Sequence, residues 1–132
     1  MFSLKNISPS ITDMIRFDHS HVLLTSHQYV ASKKPAVKKA LAETMCDALE
    51  IHATLEEEIF YPAMRQASLG GDTLGKSVPE HLEMKHLIAK LRASDPATAQ
   101  YDQLVNELMR DVIHHVADEE TILLCERHPE SA

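Results

Sequence analysis

The sequence predicts an all-α protein, an antiparallel four-helix bundle of up-down-up-down topology built as a single domain over residues 1–132. Three observations carry that expectation. Only three glycines interrupt a chain rich in Ala, Leu, Glu, Lys and Met, side chains that lose little freedom in a helix. Proline and glycine cut the chain into four long stretches whose apolar residues recur at helical spacing. With 132 residues and 44% hydrophobic content the chain has the size of one ordinary domain and enough apolar surface for a continuous core. Short connections between four long amphipathic helices then make antiparallel neighbours the economical topology.

The first helix is expected over about residues 9–32, opened by Ser8-Pro9, because a proline in the first turn gives up an amide that has no partner there. Lys34-Pro35 breaks the chain and starts a long second helix, residues 35–67, in which Pro62 should kink or end the run near Phe60 before Gly70-Gly71 forces a loop. Ser77-Val78-Pro79-Glu80 reads as a capping box, with the serine oxygen and the Glu80 carboxylate satisfying the first amides of a third helix over 77–93. Ser94-Asp95-Pro96 repeats the cap-then-proline signal and opens a fourth helix over 96–127, stopped near Pro129. The ends read as loose tails or short packing arms.

Composition excludes several function classes. A formal charge of −7 disfavours nucleic acid as a partner, since neutralising phosphates needs a basic face and Lys33-Lys34 and Lys38-Lys39 are too short to make one. No stretch approaches about 18 consecutive apolar residues, and Met1-Phe2-Ser3-Leu4-Lys5-Asn6 lacks a signal-peptide core, so a cytoplasmic protein without membrane contact is expected. Cys46 and Cys125 stand far apart outside any Cys-x-x-Cys pattern and read as free thiols. The excess to be explained is nine histidines.

The segment His52-Ala-Thr-Leu-Glu56-Glu57 reappears as His115-Val-Ala-Asp-Glu119-Glu120. A four-residue step along an α-helix rotates about 40° and rises about 6 Å, so each His and the first Glu after it project from one face. Viewed down the fourth helix, His115 falls on the stripe of Leu104, Leu108, Val112, Glu119 and Ile122, while His114 faces water. On the second helix His52 and Glu56 align with Met45, Leu49 and Ile59, and Glu57 and Glu58 turn away. On the first, His19 lies with Ile15, Val22 and Leu23, opposite His21; on the third, His81 lies with Val78, Met84 and Ile88, and His86 is rotated away. His27 and His128 read as surface or tail residues.

One histidine from each helix and a glutamate from two of them therefore point inward. Without partners each ionised carboxylate would cost several kcal/mol, a large part of an ordinary stability margin. A hydrogen-bonded His and Glu network is one way to satisfy them; metal is the other. Six ligands exceed one tetrahedral zinc and suit two metals, each taking two imidazoles and sharing carboxylates, with a bridging oxo or hydroxo group completing the charge. Mixed nitrogen and oxygen ligation in a helix bundle favours iron or manganese, with zinc possible. A ferritin-like bundle is disfavoured, because its Glu-x-x-His order is the reverse of the one present here.

These residues resemble the hemerythrin-like, HHE cation-binding domains. The pieces that match are Asp18-His19-Ser20-His21-Val22, His52 through Pro62, Glu80-His81 and His115 through Glu120, four elements in register over nearly the whole chain. The resemblance implies a four-helix bundle around a non-haem di-iron centre, with His19, His52, Glu56, His81, His115 and Glu119 as ligands and the two glutamates as bridges. Oxygen-carrying members have a second histidine four residues after the helix-three ligand, where this chain has Lys85, which leaves one iron with fewer protein ligands unless His86 swings around. Lys85 would pair with a carboxylate, act on bound oxygen species or reach outward, so Lys85 and His86 are candidates for the shell around the ligands. The last carboxylate, a Glu four residues after its His rather than an Asp five after, points to the bacterial or regulatory branch.

The function this implies is binding of, or reaction with, O2, peroxide or NO, in oxygen, redox or iron sensing, with homo-oligomers allowed and the protein partner open. A di-iron peroxidase, catalase-like or oxidase enzyme is the alternative, and a metal-dependent interaction or storage module is the third. A ligand-binding protein is favoured over a dedicated enzyme.

Overall fold

The structure, a computed structural model, describes the backbone of residues 4–31, 33–68 and 71–127 and the side chains of 13–31, 33–68, 71 and 74–121. All its regular elements are helical. Helix α1 spans Leu4–His27. Helix α2 runs as α-helix over Pro35–Leu55, passes through a π-helical turn at Glu56–Phe60 and ends over Tyr61–Gln66. Helix α3 covers Gly71–Arg92 and α4 covers Ala99–Arg127. The helices pack in a ring, α1 on α2, α2 on α3, α3 on α4 and α4 back on α1.

The boundaries depart from the sequence expectation where a packing contact outbids a local signal. Helix α1 begins at Leu4 and ends at His27, so Pro9 lies inside it and the expected 9–32 span is shifted toward the N-terminus. Helix α3 begins at Gly71, ahead of Ser77, and Pro79 sits inside it. Two side chains account for this: Leu74 packs into a cluster with Ile15, Phe60, Tyr61 and Met64, and the buried Ser77 turns its hydroxyl toward Tyr61 instead of capping a helix. Helix α4 starts after Pro96: the Ala97 amide donates to Asp95 Oδ1 at 2.9 Å and the Tyr101 amide to Thr98 Oγ1 at 3.3 Å, so Thr98 is the cap. The expectations for Ser32, Gly70, Ile122, Cys125, His128 and Pro129 lie outside the described residues or side chains.

The π turn reshapes the core more than any of these shifts. Pro62 has no amide to donate and its ring crowds the preceding turn, and the helix widens just upstream of it, the Tyr61 amide reaching back to the Glu56 carbonyl. The extra residue per turn rotates everything after Glu56. Ile59, expected inward, is 49% exposed, and Phe60 and Tyr61 enter the core in its place. Val78, also expected inward, lies at the surface.

Two apolar clusters fill the bundle. The larger holds Val22, Met45, Leu49, Leu87, Leu108 and their neighbours, and the smaller surrounds Tyr61. Cys46 belongs to the larger, where burial pushes its thiol up to about 12 and keeps it unreactive despite nearby Arg92. Arg92 on α3 reaches Glu43, Asp47 and Glu50 on α2 at 3.2, 2.8 and 2.9 Å.

At one end, buried Lys38 donates to Asp102 Oδ1 at 3.0 Å, and Tyr29 donates to the same oxygen at 2.7 Å. Asp102→Ala leaves the Lys38 ammonium buried without its counter-charge and is expected to cost roughly 3 kcal/mol in urea unfolding. The hydrogen bond from Tyr29, then that from Lys38, hold the Asp102 carboxyl below its ordinary value. Its contribution is therefore present above the usual carboxylate range and fades as pH falls through the lowered value, so the wild-type advantage over the variant should shrink in acid.

Candidate metal centre

Four imidazoles and two carboxylates meet between the two apolar clusters. His19 from α1, His52 and Glu56 from α2, His81 from α3 and His115 and Glu119 from α4 are each no more than 5% exposed. They form two overlapping groups, His19, His52, Glu56 and Glu119 on one side, position A, and Glu56, His81, His115 and Glu119 on the other, position B. His21, His27, His86 and His114 are exposed.

The glutamates divide their oxygens between the groups. Glu119 Oε1 lies 3.1 Å from His19 Nε2, and its Oε2 lies 3.1 Å from His115 Nε2. Glu56 Oε2 lies 3.2 Å from His52 Nε2, and its Oε1 lies 2.9 Å from His81 Nε2 and 3.4 Å from His115 Nε2. The nitrogens of His81 and His115 are 3.2 Å apart. Two ligand atoms at right angles around an ion with bonds of about 2.1 Å are separated by about 3 Å, the edge these distances trace. His52 Nε2 and Glu56 Oε2 face each other without hydrogen-bond alignment, two buried polar atoms with no hydrogen-bond partner. That donor set fits a metal pair.

Each imidazole is held from behind by a carboxylate accepting from its Nδ1. His52 donates to Asp18 at 3.2 Å, His115 to Glu80 at 2.8 Å, His81 to Glu57 at 2.7 Å and His19 to Glu120 at 3.0 Å. With Nδ1 protonated, the Nε2 lone pair is left to face inward, the tautomer a metal needs. The pattern is repeated: an acid precedes each lone histidine, in Asp18-His19 and Glu80-His81, and holds the histidine of the next helix. The second Glu of each His-x-x-x-Glu-Glu holds the lone histidine of a neighbouring helix.

Glu57 and Glu120 therefore do not belong to a face of their own, as the ideal helical wheel indicated. The π turn swings Glu57 toward α3, and Glu120 is long enough to span the seam to α1, where Arg16 Nε also donates to it at 3.0 Å. Lys85 and His86 stay outside the centre. Lys85 is 43% exposed along its side chain with Nζ 3.6 Å from Glu57, and His86 points to solvent. Both positions are thus offered two imidazoles and two shared carboxylates, so the replacement of a histidine by Lys85 leaves the two balanced in donor number.

Tyr61 was missed by sequence reasoning because an unbroken α-helix puts Ile59 in its place. Its hydroxyl donates to Glu56 Oε1 at 2.9 Å and to Glu119 Oε2, and lies 3.3 Å from His81 Nε2. All three atoms belong to position B. Pro62, the visible disruption, was the one signal that could have found it.

The electrostatics follow from crowding. Burial would push His115 down, but hydrogen bonds to Glu119 and Glu56 outweigh it and raise it to about 11. Burial likewise opposes charge on His52, and Glu56 and Asp18 carry it upward. Burial disfavours charge on Glu56, yet Glu119 and then the three imidazoles that face it hold it well below the carboxylate range. Burial, then the two carboxylates, keep the Tyr61 phenol protonated. Beside the imidazoles lies a cavity of about 20 Å3, walled by the four histidines, Asp18 and the apolar side chains of Val22, Leu49 and Val112. That is room for one small molecule.

Residues 10–126 match the family described as the Hemerythrin HHE cation binding domain. A protein of Nostoc sp. (strain PCC 7120 / SAG 25.82 / UTEX 2576) called DNA nickase is 32% identical over 114 residues, which cover 86% of this chain and 32% of that protein. The chain thus spans about a third of the length of that relative. No solved structure matches significantly.

Proposed function

The chain belongs to the hemerythrin family of HHE cation-binding domains, and from that premise we propose that it holds two iron ions and presents them to O2, peroxide or NO. The observation that carries this reading is the splitting of Glu56 and Glu119, each with one oxygen toward each histidine pair. His19 and His52 would complete one position, and His81 and His115 the other. Iron, when bound, would supply one-electron chemistry. Manganese or zinc would satisfy the same donors.

The chain's own residues do the rest. Asp18, Glu57, Glu80 and Glu120 fix the orientation of the four imidazoles, an outer layer whose loss typically weakens a site 10–100-fold. The apolar wall of the cavity excludes bulk water and admits one small ligand. Tyr61 Oη stands near three position-B donors at the spacing of a further ligand, so position B is offered a phenol that position A lacks. Without metal the phenol keeps its proton; iron in position B would displace it, so Tyr61→Phe is expected to remove a visible phenolate-to-iron band from the oxidised protein while metal content stays the same, and an unchanged spectrum would confine Tyr61 to hydrogen bonding.

Sustained oxygen release from peroxide by the iron-loaded protein would assign an enzyme, whereas one stoichiometric spectral change on exposure to O2, peroxide or NO fits the ligand-binding reading we favour. Nuclease action is not part of the proposal. The net charge of −7 and the carboxylates around the centre disfavour phosphate binding there, and supercoiled plasmid incubated with the metal-loaded chain is expected to stay uncut. None of the described helices is long and apolar enough to cross a membrane.

A further inference from the structure

We infer that Asp18 is the door through which a small ligand reaches the centre, so that the route of entry crosses the outer face of α1 on one side of the bundle. This rests on the reading of the centre as a metal pair open to an exogenous ligand. Four carboxylates stand behind the four imidazoles in a repeated pattern, and among them only Asp18 borders the inner cavity. It also borders a surface groove of about 400 Å3 along α1, with Asp13 and with Met14 and Phe17, which are 50% and 72% exposed. One side chain is thus shared by the inside and the outside.

Its counterpart shows why. Glu80 occupies the equivalent place, immediately before the lone histidine of α3 and behind the histidine of the next helix. It borders a surface hollow with Arg110 and His114 but does not reach the inner cavity. Aspartate is one methylene shorter than glutamate. The Asp18 carboxylate meets His52 Nδ1 at 3.2 Å, where Glu80 meets His115 Nδ1 at 2.8 Å, and the Asp18 side chain is 34% exposed against 26% for Glu80. Asp18 is the residue common to the inner cavity and the groove, and its short carboxylate can rotate about two bonds, whereas Glu80 borders its surface hollow alone. A groove lined by Met14 and Phe17 beside the carboxylates of Asp13 and Asp18 repels a hydrated anion and leaves an uncharged diatomic free to pass.

Nitric oxide, small and uncharged, is the probe. Stopped-flow mixing with the di-ferrous protein gives its association rate, and displacement by a nitric oxide trap gives its dissociation rate. Asp18→Glu keeps the charge and the bond to His52 and adds one methylene to the passage. It is expected to slow association and dissociation together by about tenfold, since a narrower passage raises one barrier crossed in both directions. The double variant Asp18→Glu/Glu80→Asp moves the shorter acid to the other side and is expected to restore both rates to within about threefold of wild type, which no general loosening of the fold would do. Rates unchanged in Asp18→Glu, a change in one rate alone, or a double variant as slow as the single one would overturn the door. If the wild-type protein, carrying its two irons, forms no adduct at all, the reading of the centre as open to a diatomic falls and takes the door with it.

Discussion

Glu56→Ala is expected to take the protein from two bound metals per chain to less than one. Glu56 is fully buried and, like Glu119, turns its two oxygens toward both histidine pairs, His52 on one side and His81 and His115 on the other. Removing it takes a donor and half of the centre's carboxylate charge from both positions at once, whereas His19→Ala takes one donor from one position. Metal analysis after loading with ferrous iron and gel filtration measures this, with circular dichroism confirming that helix content is retained. Glu57→Ala is the contrast: it leaves all six donors in place and frees only the back of His81, so two metals should still bind, about 10–100-fold more weakly. Equal losses in the two variants would mean that Glu56 does no more than orient its neighbours.

The second large effect is expected from metal removal. At free metal a thousandfold above its dissociation constant, binding to the folded state alone adds about 4 kcal/mol of stability, or about 15 °C in melting temperature for a chain of this size. Chelation should remove that increment and leave a metal-free protein whose core charges are balanced only by protons. In that state His115, raised to about 11, contributes fully below its ordinary value near 6.5 and loses its contribution as pH climbs toward 11. Glu56, held low, contributes above the carboxylate range and loses its contribution in acid. The metal-free protein should therefore be most stable in mild acid, between about pH 5 and 6.5, and weaken on both sides. Metal must displace the His115 proton, so affinity should rise with pH and loading near neutrality should release protons, measurable by calorimetry in buffers of different ionisation enthalpy. A melting temperature indifferent to chelator would contradict this.

Helical periodicity separated the inward histidines and glutamates from the outward ones because burial is a property of one face of one helix. His19, His52, Glu56, His81, His115 and Glu119 all lie inward, and His21, His86 and His114 outward, as 100° steps on a regular helix require. What the periodicity could not carry was anything that depends on a break in the regular helix or on reach between helices. The π turn before Pro62 moved Tyr61 inward, Ile59 outward and Glu57 onto His81; the proline was legible, but its accommodation upstream was not. The bond from His19 to Glu120 crosses a helix–helix seam and is decided by side-chain length. The acid before each lone histidine was present in the sequence, and its doubling was the signal for the outer layer. Boundaries failed where a cap residue had other work: Ser77 faces Tyr61, and Thr98, not Ser94, starts α4. Lys85 takes the outward alternative among those the sequence left open, since a long charged side chain at the edge of a helix reaches water.

The central claim is that Glu56 and Glu119 bridge two metals. It is tested most directly by loading the protein with iron without oxygen, counting metal per chain, oxidising it and recording its electron paramagnetic resonance. Two ferric ions sharing bridging ligands couple their spins, so the account predicts two irons per chain and an oxidised form that is silent. One metal per chain, or two irons that give the signal of isolated high-spin ferric ions, would contradict it.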